Sequence, residues 1–170
     1  IIGERGMNTT ARGDGFAVTF HGVRGSTPCH APELVRYGGN TSCVSLDIEG
    51  ADPILFDLGT GLRYFGNTLS PGARFVGTCL LSHLHWDHIQ GLPFFGPLFV
   101  PGNEWDIYAP QGFEQSLQGT LAGQMQYTYF PITLRDLGAT LHYHEIVEGT
   151  FRIGDVRVTA QYLNHPALTL

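Results

Sequence analysis

The sequence predicts an α/β domain in which short buried strands alternate with short helices. Three observations carry that prediction. Segments of strand length, at residues 54–56, 75–81 and 104–109, the first two mostly apolar, lie close to Gly, Pro, Asn or Asp. Segments of helical length, at 62–69, 89–95 and 112–123, fall between or after them. The chain has 170 residues with 42% hydrophobic and 14% charged side chains, which suits one globular core and argues against disorder.

Residues 1–15 are polar and glycine-rich, without the apolar stretch of a secretory signal, and read as a flexible lead-in to a domain over 16–170. Phe16-Ala17-Val18-Thr19-Phe20 alternates weakly and reads as the first strand. In the loop that follows, Gly22 and Gly25 either bring the backbone close to a ligand or simply make a tight turn. Residues 28–39 form a proline-bounded connection, and 40–48 a second strand before the Asp52-Pro53 turn. Ile54-Leu55-Phe56 is a short buried strand ending at Asp57, and a helix over 62–69 follows the turn Gly59-Thr60-Gly61. Asp57 suits two tasks there: orienting a metal-bound histidine or capping the next helix.

Further along, residues 75–81 read as a buried strand and 89–95 as the start of a helix with Asp87 and His88 near its N-terminus. A strand over 104–109 and a helix over 112–123 come next. The aromatics of 124–137, among them Tyr127, Tyr129 and Phe130, either cover a cleft and stack a ring or belong to the core. Residues 140–146 alternate, so His142 and His144 share one exposed strand face. A hairpin over 151–163 turns at Gly154-Asp155, and the chain then reaches Asn164-His165-Pro166.

The chemistry lies where the strand at 75–81 ends. Ser82-His83-Leu84-His85-Trp86-Asp87-His88-Ile89-Gln90-Gly91 sets His83, His85, Asp87 and His88 within six residues. Imidazole and carboxylate suit zinc and its first-row neighbours. No Cys joins the cluster, and thiolate-free sets belong to catalytic sites that keep a position open for water. In extended backbone His83 and His85 point to the same side, while Asp87 and His88 point elsewhere, towards a second metal.

This HxHxDH run followed by Gly resembles the central motif of the metallo-β-lactamase-fold hydrolases. The flanking stretches Gly22-Val23-Arg24-Gly25-Ser26-Thr27-Pro28, Arg36-Tyr37-Gly38-Gly39-Asn40-Thr41-Ser42-Cys43 and Asp57-Leu58-Gly59-Thr60-Gly61-Leu62 resemble a phosphodiesterase-like branch. That branch is related to the phosphonate-pathway cyclic phosphodiesterases and to the tRNA 3′-processing nucleases. The resemblance runs from about Phe16 to His165 and implies the αββα sandwich, with its N-terminal half present as a mixed β-sheet carrying helices on one face. It implies His83, His85 and His165 for a first metal, Asp87 and His88 for a second, and Asp57 and Asn40 as supporting residues. The bridging carboxylate and the last His of the family belong to a second half not found in this sequence. The domain is therefore expected to be truncated, with an apolar sheet face that favours association or awaits that half.

The expected function is a metal-dependent hydrolase. Two divalent ions, zinc first with manganese or iron as alternatives, would lower the pKa of a water for attack on phosphorus. Asp87 is the candidate to act on that water's proton. The turn here is Asp-Leu-Gly-Thr-Gly, whereas the tRNA nucleases carry an acidic Gly-Glu-Gly-Thr, which favours a small or cyclic phosphodiester. The alternatives are a lactam or thioester substrate, or a catalytically incomplete metal-binding half-domain.

Composition restricts the partners. A net charge of −6 disfavours a non-specific nucleic-acid or anionic-membrane surface. The longest apolar stretch, 92–100, is broken by Pro93, Gly96 and Pro97 and is too short to span a membrane. Cys29, Cys43 and Cys79 form no CxxC pair and no even set, which points to a reducing cytoplasm.

Overall fold

The computed structural model describes residues 9–13, 15–112 and 115–170. Seven strands form one sheet in chain order: β1 (Thr9–Gly13), β2 (Phe16–Gly22), β3 (Cys43–Ile48), β4 (Ile54–Phe56), β5 (Val76–Leu80), β6 (Glu104–Pro110) and β7 (Thr140–Ile146). From β1 to β4 the neighbours are antiparallel, and from β4 to β7 they are parallel. The change follows the connections. Short turns suffice for antiparallel neighbours, but each parallel pair needs a crossover. The crossovers carry α1 (Leu62–Gly66), then α2 (Trp86–Ile89) with 3₁₀ turns at Leu92–Phe94 and Gly96–Phe99, then α3 (Leu117–Gln124).

The helices cover one face of the sheet. Leu55, Cys79, Ile107 and Tyr143 lie in register across β4 to β7, and the first three are fully buried. Above them Phe65, Phe75, Phe95 and Trp105 pack at centroid separations of 4.8–6.2 Å. Leu62 of α1 and Leu117 and Leu121 of α3 close this core.

The opposite face carries the register row Phe20, Val44, Phe56, Leu80, Tyr108 and His144. A two-stranded hairpin, β8 (Gly149–Ile153) and β9 (Val156–Ala160), lies over part of it. Phe151 stacks on Tyr108 at 5.2 Å. Phe16, Phe20 and Phe56 remain 40–48% exposed. The face expected to be bare is therefore half covered by the chain's own hairpin, and apolar where it is not.

Four expectations need correction. Thr9–Gly13, expected within a flexible lead-in, is a strand paired with β2, while residues 1–8 and Asp14 lie outside the described residues. The helix expected over 89–95 is instead the single turn Trp86–Ile89, because Gly91 and Pro93 do not continue an α-helix. His144 is not simply on an exposed face. Its Nε2 lies 2.6 Å from Asp106 Oδ1, and its ring stacks on Tyr108. The helix expected over 112–123 begins at Leu117, and Phe113 and Glu114 lie outside the described residues.

Candidate metal centre

The centre is built at the ends of β4 and β5, and main-chain contacts place it. Where β4 stops, Asp57 turns the chain through φ +62°, a left-handed conformation that Asp tolerates better than most residues. Its amide still donates to Leu80 of β5 at 3.1 Å. The next residue, Leu58, donates to His88 O at 2.7 Å, and Gly91 donates back to Leu58 O at 2.8 Å. The 57–61 turn is thereby bolted along α2. The approach is so close that a Cβ on Gly91 would sit 2.0 Å from Gly59 O.

This clamp directs the Asp57 carboxylate into the strand ends. It accepts from Ser42 Oγ at 2.8 Å and from the amide and hydroxyl of Ser82, each at 2.9 Å. Its Oδ2 also lies 2.7 Å from His88 Nδ1. With Nδ1 so engaged, His88 turns Nε2 towards Asp87, 3.5 Å from Oδ2. That same Oδ2 accepts the Ser26 amide at 2.7 Å, from the glycine-bearing loop after β2. Ser26, too, is left-handed, at φ +65°.

The remaining imidazoles gather beside this pair. His83 and His85 have ring centroids 4.6 Å apart, and His165 comes within 4.6 Å of His83 and 5.2 Å of His85. One ring nitrogen from each of the three lies within 4.8 Å of the others. His83 and His88 are 4.1 Å apart between centroids. Thus His83 is the member of the three-histidine group that also neighbours His88 of the Asp87–His88 pair.

The electrostatics of the site follow from this crowding. Burial, and then the neighbouring His88, His85 and His165, push His83 down to about 4, so it stays neutral and free to ligate. Burial also pulls on His88, but the Asp57 hydrogen bond and charge, together with Asp87, outweigh it and leave His88 above its ordinary value. For Asp87, burial pushes up, while the Ser26 amide and His88 prevail and hold the carboxyl below its usual range.

Of the residues singled out in the sequence, His83, His85, Asp87, His88 and His165 converge, although β6 to β9 intervene in the chain between His88 and His165. Asp57 contacts His88. Among the described residues Asn40 meets no site histidine. It accepts from Thr60 Oγ1 at 3.2 Å and from the Val23 and Arg24 amides, holding the loop that brings Ser26 to Asp87. Sequence reasoning missed Ser26, Ser42 and Ser82. The only signal for Ser82 was its position immediately before the motif. Three imidazole nitrogens around one point, with a nitrogen and a carboxylate oxygen around another, suit zinc or a similar borderline cation.

No protein-family model matches the chain. It is 34% identical over 118 residues to a protein named ribonuclease BN from Cronobacter sakazakii, covering 66% of this chain and 35% of that protein. It is 28% identical over 154 residues to a protein named ribonuclease Z from Synechococcus, covering 87% of this chain and 45% of that one. The chain therefore spans less than half the length of these curated relatives. A crystal structure described as a new diphosphatase from the PhnP family superposes with a TM-score of 0.54 at 18% identity, over 85% of this chain and 56% of that one. That likeness concerns the fold, the mixed sheet with its helical layer. These matches, in sequence to the proteins named ribonucleases and in fold to the PhnP-family structure, accord with the metallo-β-lactamase fold that the HxHxDH motif implies.

Proposed function

We propose that this chain provides the metal-binding part of a hydrolase for phosphodiesters. The observation that carries the reading is the convergence of His83, His85 and His165 on one point, beside the Asp87–His88 pair. When bound there, divalent cations, zinc foremost, would supply Lewis acidity and a water acidified towards neutrality.

The chain's own residues would do the rest. His83, His85 and His165 present imidazole nitrogens to one cation, and Asp87 and His88 present a mixed pair to another. Asp57 holds the His88 ring by Nδ1, so that its ring cannot turn away from Asp87. The Ser26 amide fixes Asp87 and keeps its carboxylate ionised, which suits ligation or acceptance of a proton from water.

A small or cyclic phosphodiester fits the non-acidic Gly59-Thr60-Gly61 turn and the acidic chain. The relatives named ribonucleases make RNA the first polymeric comparison. Trp86 beside the histidines, and Tyr127 and Tyr129 on the 124–137 loop, are well exposed and free to stack a base. Three free cysteines suit a reducing, cytoplasmic setting. Among the described residues no helix is long and apolar enough to cross a membrane.

The test is metal content followed by turnover. The chain is purified without chelator, analysed for zinc, manganese and iron, and assayed on an aryl phosphodiester, a 2′,3′-cyclic nucleotide and short RNA. Activity that is lost in His83→Ala and His165→Ala supports the reading; a metal-free chain that takes up no added zinc defeats it. One observation favours a second reading. The described residues offer three donors at the first position but two at the second, so the isolated chain fills one position and stays inactive. That reading predicts about one ion per chain, without hydrolysis of any of the three substrates.

A further inference from the structure

Ser82 stands between His83 and His88, with its Oγ 3.0 Å and 3.3 Å from their Nδ1 atoms, and its hydroxyl has one proton to give. Four donors converge on Asp57: Ser42 Oγ, the Ser82 amide, Ser82 Oγ and His88 Nδ1, all within 2.9 Å. A carboxylate has about four lone-pair sites, so this one is filled, and the Ser82 hydroxyl proton is committed to it. The Ser82 oxygen also lies 3.0 Å from His83 Nδ1. Having given its proton to Asp57, it can only accept there. His83 therefore carries its proton on Nδ1 and leaves Nε2 bare. The reverse assignment would set the oxygen lone pairs of Ser82 against Asp57 Oδ1 at 2.9 Å with no proton between them.

We propose that Ser82 is a positioning residue that extends the Asp57 carboxylate to His83. One buried carboxylate then fixes a histidine in each half of the centre. His88 is held directly, and His83 through the serine hydroxyl. Both rings are locked with Nδ1 protonated and Nε2 free. The two halves are consequently not independent: loss of Ser82 releases the His83 ring, and loss of Asp57 releases both His83 and His88. The inference rests on the metal-centre reading.

The decisive measurement is the ring tautomer of His83 in the metal-free full chain. It is read from ¹⁵N chemical shifts and ring-proton correlations at about pH 7.5, where the ring is neutral. The wild-type chain should show a protonated Nδ1. Ser82→Ala should move the proton to Nε2 or give a mixture, Ser82→Thr should restore it, and Ser42→Ala, which touches Asp57 but no histidine, should leave His83 unchanged. Zinc titration should show an affinity about 10–100-fold weaker in Ser82→Ala, recovered in Ser82→Thr. A wild-type His83 protonated on Nε2, or a Ser82→Ala chain that keeps the Nδ1 proton, overturns the proposal. A chain with the expected tautomers that binds no zinc overturns the metal reading and leaves the serine tether standing.

Discussion

Replacing Gly91 by Ala tests whether the clamp between α2 and the 57–61 turn holds the centre together. The added Cβ would lie 2.0 Å from Gly59 O and 2.8 Å from Leu58 O, both main-chain atoms that cannot rotate away. To reach even a tight contact, the two segments must separate by about 1 Å. That movement strains two hydrogen bonds, Leu58 N to His88 O and Gly91 N to Leu58 O. Each is worth about 1 kcal/mol. Leu58 is fully buried, and displacing it disturbs a packed core at a cost of about 1–3 kcal/mol. The expected destabilisation is about 3–5 kcal/mol, a large share of the ~5–15 kcal/mol available to a typical domain. Urea unfolding followed by circular dichroism gives the value, with Gly96→Ala as the control, since nothing lies within 4 Å of a Cβ there. A Gly91→Ala chain within about 0.5 kcal/mol of wild type would refute the reasoning, because the contact would then be yielding.

Other expectations follow from single sites. Asp57→Asn replaces an acceptor by a donor that faces Ser42 or His88; stability should fall by about 2–4 kcal/mol and zinc affinity by about 10–100-fold in a titration. Burial lowers the His21 pKa, so the unfolded chain takes up this proton more readily than the folded one. Its contribution to stability is present above the ordinary value of 6.5 and is lost as pH falls through it. Urea midpoints at about pH 8 and pH 5 should therefore differ less in His21→Leu than in wild type. Gly123 lies in α3, and a Cβ added there would meet no atom within 4 Å, so Gly123→Ala should raise stability by about 0.5–1 kcal/mol. Cys29 is exposed, whereas Cys43 and Cys79 are buried with their thiols pushed up by burial and by Asp57. A thiol reagent should accordingly label one cysteine rapidly under native conditions and the other two only on unfolding.

The legible parts of this fold are those that repeat along the chain. Strand β4, Ile54–Phe56, is bounded as its apolar run predicts, β5 is shorter than expected by one residue at each end, and β6 is longer by one residue at its C-terminal end. Their side chains face a core, and the alternation or continuity of apolar residues records that directly. Thr9–Gly13 has no such record. Its sequence, Thr-Thr-Ala-Arg-Gly, is polar and small, and it becomes a strand through main-chain pairing with β2 at the sheet edge. Helix α2 fails in the opposite direction: the apolar residues after Ile89 suggest a longer helix, but Gly91 must lie against Leu58 and Gly59, and that contact ends it.

The same division runs through the centre. Ligand types are visible in sequence because only a few side chains can bind a metal, and His83, His85, Asp87 and His88 are close enough together to be recognised as a set. What orients them is common chemistry in scattered places. Ser42, Ser82 and Asp57 are ordinary residues in isolation, and their relation appears only when β3, β4 and β5 lie side by side. Left-handed Asp57 shows why this matters. A residue at φ +62° costs conformational energy, and here it is held by hydrogen bonds on both of its flanks and at four points on its carboxylate. The strained turn aims the carboxylate at the histidines, and the histidines supply one of the bonds that keep the turn in place. Removing either should loosen the other, so the stability of the 57–61 turn and the order of the His83 and His88 rings ought to vary together across substitutions at this site.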